Sequence, residues 1–174
     1  MPILSTQPKN PNQLTQNRFQ FVLDRAPTVE YFMARTELPA MSLEVANQAT
    51  MFNNIPRPGN KMSFDTYPVE FRVDEDLTNY LEVYNWITEL GFPSDFTGYQ
   101  GLKNTGRKEV SDATLLLLSS ASNPIIQVRF LDIFPISLSA LPFDLNGEDI
   151  SYTSATVRFA YQRFVIEKVG GPTA

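Results

Sequence analysis

Apolar and polar positions alternate in short runs along most of this chain, and residues 73–93 alone carry a long helical period. There Leu77, Tyr80, Leu81, Tyr84 and Ile87 recur at steps of three and four, which lines them on one helical stripe. Asp74 precedes the stripe as an N-cap, and Glu75 and Asp76 put negative charge in the first turn, where the helix dipole is positive. Gly91 offers a left-handed stop and Pro93 forbids continuation. The spacing predicts one amphipathic helix that packs on a sheet through Leu77, Tyr80, Leu81 and Tyr84.

Elsewhere the period is two, the signature of strands. In residues 18–24, Phe19, Phe21 and Leu23 oppose Arg18, Gln20 and Asp24. A turn at Ala26 and Pro27 leads to a second strand over 31–35, making a short N-terminal strand pair, and Met41, Leu43 and Val45 restart the alternation. Residues 63–73 set Val69, Phe71 and Val73 against Glu70 and Arg72. Residues 113–119 are nearly continuously apolar, and 125–133 set Ile126, Val128 and Phe130 against Gln127 and Arg129. Pro135 and Pro142 bracket a connection, and Asn146-Gly147 suits a hairpin turn. A last strand over 152–166 places Val157, Phe159 and Tyr161 opposite Arg158 and Gln162. The count is about seven or eight strands and one helix. Residues 1–16 read as an extended arm, 17–169 as a single domain, 170–174 as a tail, and the polar connection 94–112 takes no firm element.

One stretch fits neither period. Met51, Phe52, Asn53, Asn54, Ile55, Pro56, Arg57, Pro58, Gly59, Asn60 and Lys61 lie between two strands, and the prolines and glycine exclude a central strand or a helix. A long loop at the end of a hairpin is expected. Its apolar tip serves either to fold back on its own domain or to act as an interaction finger.

Composition then narrows the function. A single domain of 174 residues buries roughly 70% of its unfolded surface, and 43% hydrophobic residues suffice for a core. The chain has no cysteine and no histidine, which removes disulfides, thiolates, the commonest general base and the commonest transition-metal ligand. The expected reading is no enzyme, no catalytic residue, no metal and no cofactor. The acidic run Asp74, Glu75 and Asp76 is better explained by helix capping, and residues 144–149 lack the alternating ligands of a calcium loop. Trp86 reads as packing. A net charge of −5 disfavours a binder that neutralises phosphates, without excluding a protein past which DNA slides. No apolar run of about 18 residues is present to span a membrane as a helix. The charged strand faces are either solvated or line a wet space enclosed by a ring of subunits.

The order of elements resembles the tail tube proteins of contractile-tailed bacteriophages over residues 17–167. The resemblance rests on Thr36-Glu37-Leu38-Pro39-Ala40-Met41 followed by the Pro/Gly-containing loop, on the strand into Val73-Asp74-Glu75-Asp76 with its helix, and on FLDIFP at 130–135. TVRFAYQRFVI at 156–166 closes the set. It implies a mainly β, antiparallel sandwich or half-barrel with one flanking α-helix, whose inner strands (41–50, 63–73, 125–133 and 155–166) join into a continuous barrel in a hexameric ring. Rings of that family stack into a tube inside a contractile sheath and conduct DNA. Loop 51–61 is then the inter-ring contact, and Glu70, Arg72, Arg129, Arg158 and Gln162 are lumen candidates, with the arginines expected to be paired with carboxylates. The implied partners are further copies of the chain, the sheath protein and baseplate and neck proteins. Tape-measure protein and passing DNA are implied in the lumen, without specific nucleic-acid binding or membrane anchoring. The implied setting is the virion tail, assembled in the host cytoplasm. A repeating tube subunit is the first reading. A specialised ring that terminates or starts the tube, or joins it to baseplate or neck, is the alternative.

Overall fold

The structure is a computed structural model and describes residues 13–91, 109–143 and 152–169. Most of the arm, most of the 94–112 connection, the Asn146-Gly147 turn, the 144–149 run, Pro93 and the C-terminal tail lie outside the described residues.

Among the described residues, nine strands and two helices follow in the order β1 (Phe19–Leu23), α1 (Pro27–Tyr31), β2 (Met33–Thr36), β3 (Met41–Ala49), β4 (Asn54–Phe64), β5 (Tyr67–Arg72), α2 (Thr78–Gly91), β6 (Ser111–Leu118), β7 (Pro124–Leu138), β8 (Ser154–Ala160) and β9 (Arg163–Lys168). The body is antiparallel, in the order β1-β6-β7-β8-β5-β2, with β9 also paired to β7. The first half of β7 pairs with β6 and β9, and its second half with β8, so one strand serves two sheets. Asp132, at φ 54°, lies between the two halves. The sheets close on each other through Tyr67, whose ring lies 4.3 Å from Phe130 and 5.8 Å from Phe21. Phe21, Leu115, Val128 and Phe130 from one sheet, and Val69, Phe71, Val157 and Phe159 from the other, complete the buried core. The result is the expected mainly β half-barrel with a flanking helix.

Several boundaries differ from the sequence reading. β1 and β2 do not pair. Pro27 begins a one-turn helix that buries Val29, after which β1 pairs with β6 and β2 with β5. The strand expected over 63–73 breaks at Asp65 and Thr66, where the Asp65 N–H donates to Ala40 O at 3.0 Å. The strand expected over 152–166 breaks at Gln162, whose N–H donates to Leu131 O at 3.0 Å, so β8 and β9 belong to different sheets. Pro135 lies inside β7 and is buried. The register slips between Pro135 and Ser137, an irregularity of the kind at which strands accommodate proline.

The helix also differs. α2 opens one turn later than the acidic run suggests, and Asp74 does not cap it. Instead the Asp74 N–H donates to Asn79 Oδ1 at 3.4 Å, and Asn79 Nδ2 donates to Arg72 O at 2.8 Å, which ties the end of β5 to the helix. Leu77 precedes the helix at φ 57°, a left-handed conformation unfavourable for a branched residue, and Leu77 O accepts the Leu81 N–H at 2.9 Å. Gly91 is the last helical residue and is not left-handed. The packed face consists of Asn79, Tyr80, Val83, Trp86, Ile87 and Leu90. Leu77, Leu81 and Tyr84, expected to pack, are exposed. Two apolar stripes overlap on this helix, and Trp86, the largest side chain, reaches Phe159 at 6.1 Å and turns its own stripe inward.

Candidate functional site

The residues expected to form a long loop form most of a strand. Among the described residues β3 and β4 pair only with each other as a two-stranded ribbon, with Val45 opposite Pro58 and Asn47 opposite Pro56. Pro56 and Pro58 stand two apart, so both turn the position of their missing N–H to the same edge. At a ribbon margin that edge can be the free one. Gly59 sits where the register shifts, and a Cβ there would stand 2.2 Å from Glu44 O. The true tip is a four-residue turn: Thr50 N–H donates to Asn53 O at 2.9 Å, and Asn53 N–H to Thr50 Oγ1 at 3.1 Å. Met51 and Phe52 crown it at 92% and 94% exposure.

Register makes the ribbon two-faced. Paired residues share a face, so Met41, Leu43, Val45, Pro58, Met62 and Phe64 lie together. The opposite face carries Ser42 hydrogen-bonded to Ser63 at 2.7 Å, Glu44, and Arg57 donating to Gln48 Oε1 at 3.2 Å. Met41, Leu43, Val45 and Met62 are exposed. Ala46 and Ile55 also lie on this mainly polar face, which backs an exposed apolar one.

At the root, Phe64 packs edge-on to Phe164 at 5.5 Å and tilted to Tyr161 at 6.2 Å, and both of those rings contact Phe130. Tyr161 Oη also donates to Asp65 O at 2.7 Å. Burial first, and then the Asp65 carboxylate, push the Tyr161 phenol up to about 12 from 10.0. A phenol that keeps its proton longer when folded stabilises the fold fully below pH 10. That contribution is lost as pH rises towards 12. Urea midpoints measured across this window should fall less steeply in Tyr161→Phe than in the native chain. Equal slopes would remove Tyr161 from the latch. Tyr67, pushed further up by burial, contributes equally to both proteins.

The lumen candidates do not share one face. Glu70, Arg72 and Arg158 alternate outward on β5 and β8, beside Arg35 on β2. Arg129 points outward from the other sheet, with its Nη2 3.2 Å from Glu167 Oε1. Gln162 sits at the corner between β8 and β9. Arg72 lies over Tyr152 at 5.7 Å. Among the described lumen candidates, Glu70, Arg72 and Arg158 share one sheet face, across β5 and β8.

An open cleft of about 760 Å³ between the helices and the β6–β7 bend carries Asp24, Glu82, Glu89, Asp112 and Asp132. Arg25 pairs with Glu89 at 2.5 Å and stacks over Trp86 at 4.6 Å, and Thr28 Oγ1 donates to Glu82. Among the described residues no three metal-ligating side chains are grouped to hold an ion. The cleft fastens α2 to the β1–α1 turn.

Fold and surfaces together define a class: a half-barrel with a flanking helix and a projecting, two-faced ribbon. No protein-family model matches the chain. It is 24% identical over 166 residues to the tail tube terminator protein of Enterobacteria phage T4, covering 91% of this chain and 92% of that one. The fold is similar to that in the tube terminating cap of the anti-feeding prophage, with a TM-score of 0.64, 15% identity, and coverage of 97% and 99% of the two chains. It is also similar to a chain of the sheath–tube complex of an extracellular contractile injection system, with a TM-score of 0.62, 15% identity, and coverage of 91% and 93%. The chain thus has the fold of these tube and cap proteins and is similar to a tail tube terminator over most of its length.

Proposed function

We propose that this chain forms a hexameric ring that terminates a contractile tail tube, in place of the repeating subunit that the sequence alone puts first. The observation that carries this reading is the end-to-end match to a tail tube terminator, which covers 91% of this chain and 92% of that one. The work is mechanical. A ring satisfies strand edges with neighbouring copies, and a terminal ring offers one face to the tube and another to a different partner. The partners are then further copies of the chain, the last tube ring, the sheath and the neck or baseplate side. DNA and tape-measure protein pass through the bore without specific binding. The ribbon tip, Met51 and Phe52, makes the contact with the adjoining ring, and the β5–β8 charged face lines the bore. The location is the virion tail, after assembly in the host cytoplasm.

Copy number in purified particles, measured by mass spectrometry, tests the reading. The expected result is one ring's complement regardless of tail length, with isolated rings in negative stain of the purified protein. Long hollow polymers, or copies that scale with tail length, would restore the repeating subunit. Because residues 54–64 form a strand, deleting 53–60 would dismantle the ribbon, so Met51→Ser with Phe52→Ser is the cleaner probe of the tip. That variant should keep its rings and lose attachment to tube ends.

A further inference from the structure

We infer that the apolar face of the β3–β4 ribbon is covered by a second copy of this chain, at the open inner margin of its β9. This deepens the ring reading above and rests on it. The ribbon face is not an isolated patch. It begins inside its own molecule, where Phe64 packs on Phe164, and continues outward as the exposed Met62, Leu43 and Val45. An apolar surface half covered at its root and bare beyond is the geometry of a contact left for completion.

The same chain carries a counterpart. Across one sheet, Phe21, Leu115 and Val128 form a register row on the inner face and are fully buried. Ile166 of β9 is the fourth member of that row, opposite Val128, and is 55% exposed. The row points into the core at three positions and opens to solvent at the fourth. Among the described residues β9 pairs only with β7, which leaves its outer edge unpaired by them as well. An aliphatic strip brought from outside would finish the row, and the chain's own ribbon presents such a strip. The two surfaces are different parts of the molecule, so the contact is head-to-tail and closes only as a ring. The ribbon thereby acts within a ring along its length, and its tip alone remains for the adjoining ring.

The absence of cysteine makes the test direct. Leu43→Cys and Ile166→Cys alter exposed positions, and the two proteins are mixed under mild oxidation. A disulfide-linked heterodimer is expected on a non-reducing gel. Glu44→Cys, on the polar ribbon face, should link to Ile166→Cys far less. Equal linking from both faces, or Leu43→Cys joining only to itself, overturns the inference. Leu43→Asp should keep the native far-ultraviolet circular dichroism spectrum and weaken self-association at least about tenfold in sedimentation. If Leu43→Asp assembles unchanged, the ribbon contact is wrong and the ring reading stands. If particle copy number instead reveals a repeating subunit while the heterodimer forms, the contact stands and the terminator reading falls. A native chain that stays monomeric at high concentration overturns both.

Discussion

Phe130→Ala is expected to lower the unfolding free energy by about 3–5 kcal/mol, the cost of a large cavity in a close-packed core. Phe130 is fully buried on β7, opposite Ala113 of β6 and Phe164 of β9. Its ring lies 4.3 Å from Tyr67 of the other sheet, 5.2 Å from Tyr161 and 5.9 Å from Phe164. It therefore bridges the two sheets and supports the aromatic root of the ribbon at once. Marginal domains hold only about 5–15 kcal/mol in total, so the variant should be close to unfolding at physiological temperature. Urea denaturation followed by circular dichroism measures the loss, and Phe130→Leu, which leaves a smaller cavity, should lose less. A loss under about 1 kcal/mol for alanine would mean the sheets close without this ring.

Trp86→Ala should cost a similar amount, about 3–5 kcal/mol, through a different set of contacts. Trp86 is buried against Phe159 at 6.1 Å, donates its indole N–H to Glu109 O at 3.1 Å, and lies beneath the Arg25 guanidinium at 4.6 Å. Removing it unseats α2 from the body and leaves Arg25 without its stacking surface. Trp86→Phe keeps most of the apolar contact and loses the hydrogen bond, so it should fall between the alanine variant and the native chain. Trp86 is the sole tryptophan, so in the native protein its fluorescence reports this contact directly. Melts monitored by circular dichroism compare the variants. If alanine and phenylalanine melt together, the ring's bulk is not what holds the helix.

Much of this was legible beforehand, and the misses share a cause. Alternation located the strands, and the period of three and four located α2. Of the three apolar residues expected at a tip, Met51 and Phe52 lie in the turn, and Ile55 lies in β4. Pro56 and Pro58 misled because they argue against a central strand, whereas a two-stranded ribbon has a free edge where proline loses no bond. Asn79 carried no signal: a polar residue beside an apolar stripe reads as solvent-facing until its Arg72 partner is in place.

The sequence by itself determined most of the strands and the long helix, that the interior is apolar and aromatic, and that histidine and cysteine chemistry is absent. Only the tertiary structure decided which of two overlapping stripes on α2 turns inward, that β8 and β9 part at Gln162 into separate sheets, and that β7 serves both. Residue polarity encodes inside or outside, and that code is unchanged when a strand passes from one sheet to the next. The choice of partner belongs to long-range packing of rings such as Tyr67, Phe130 and Trp86, which no local pattern records.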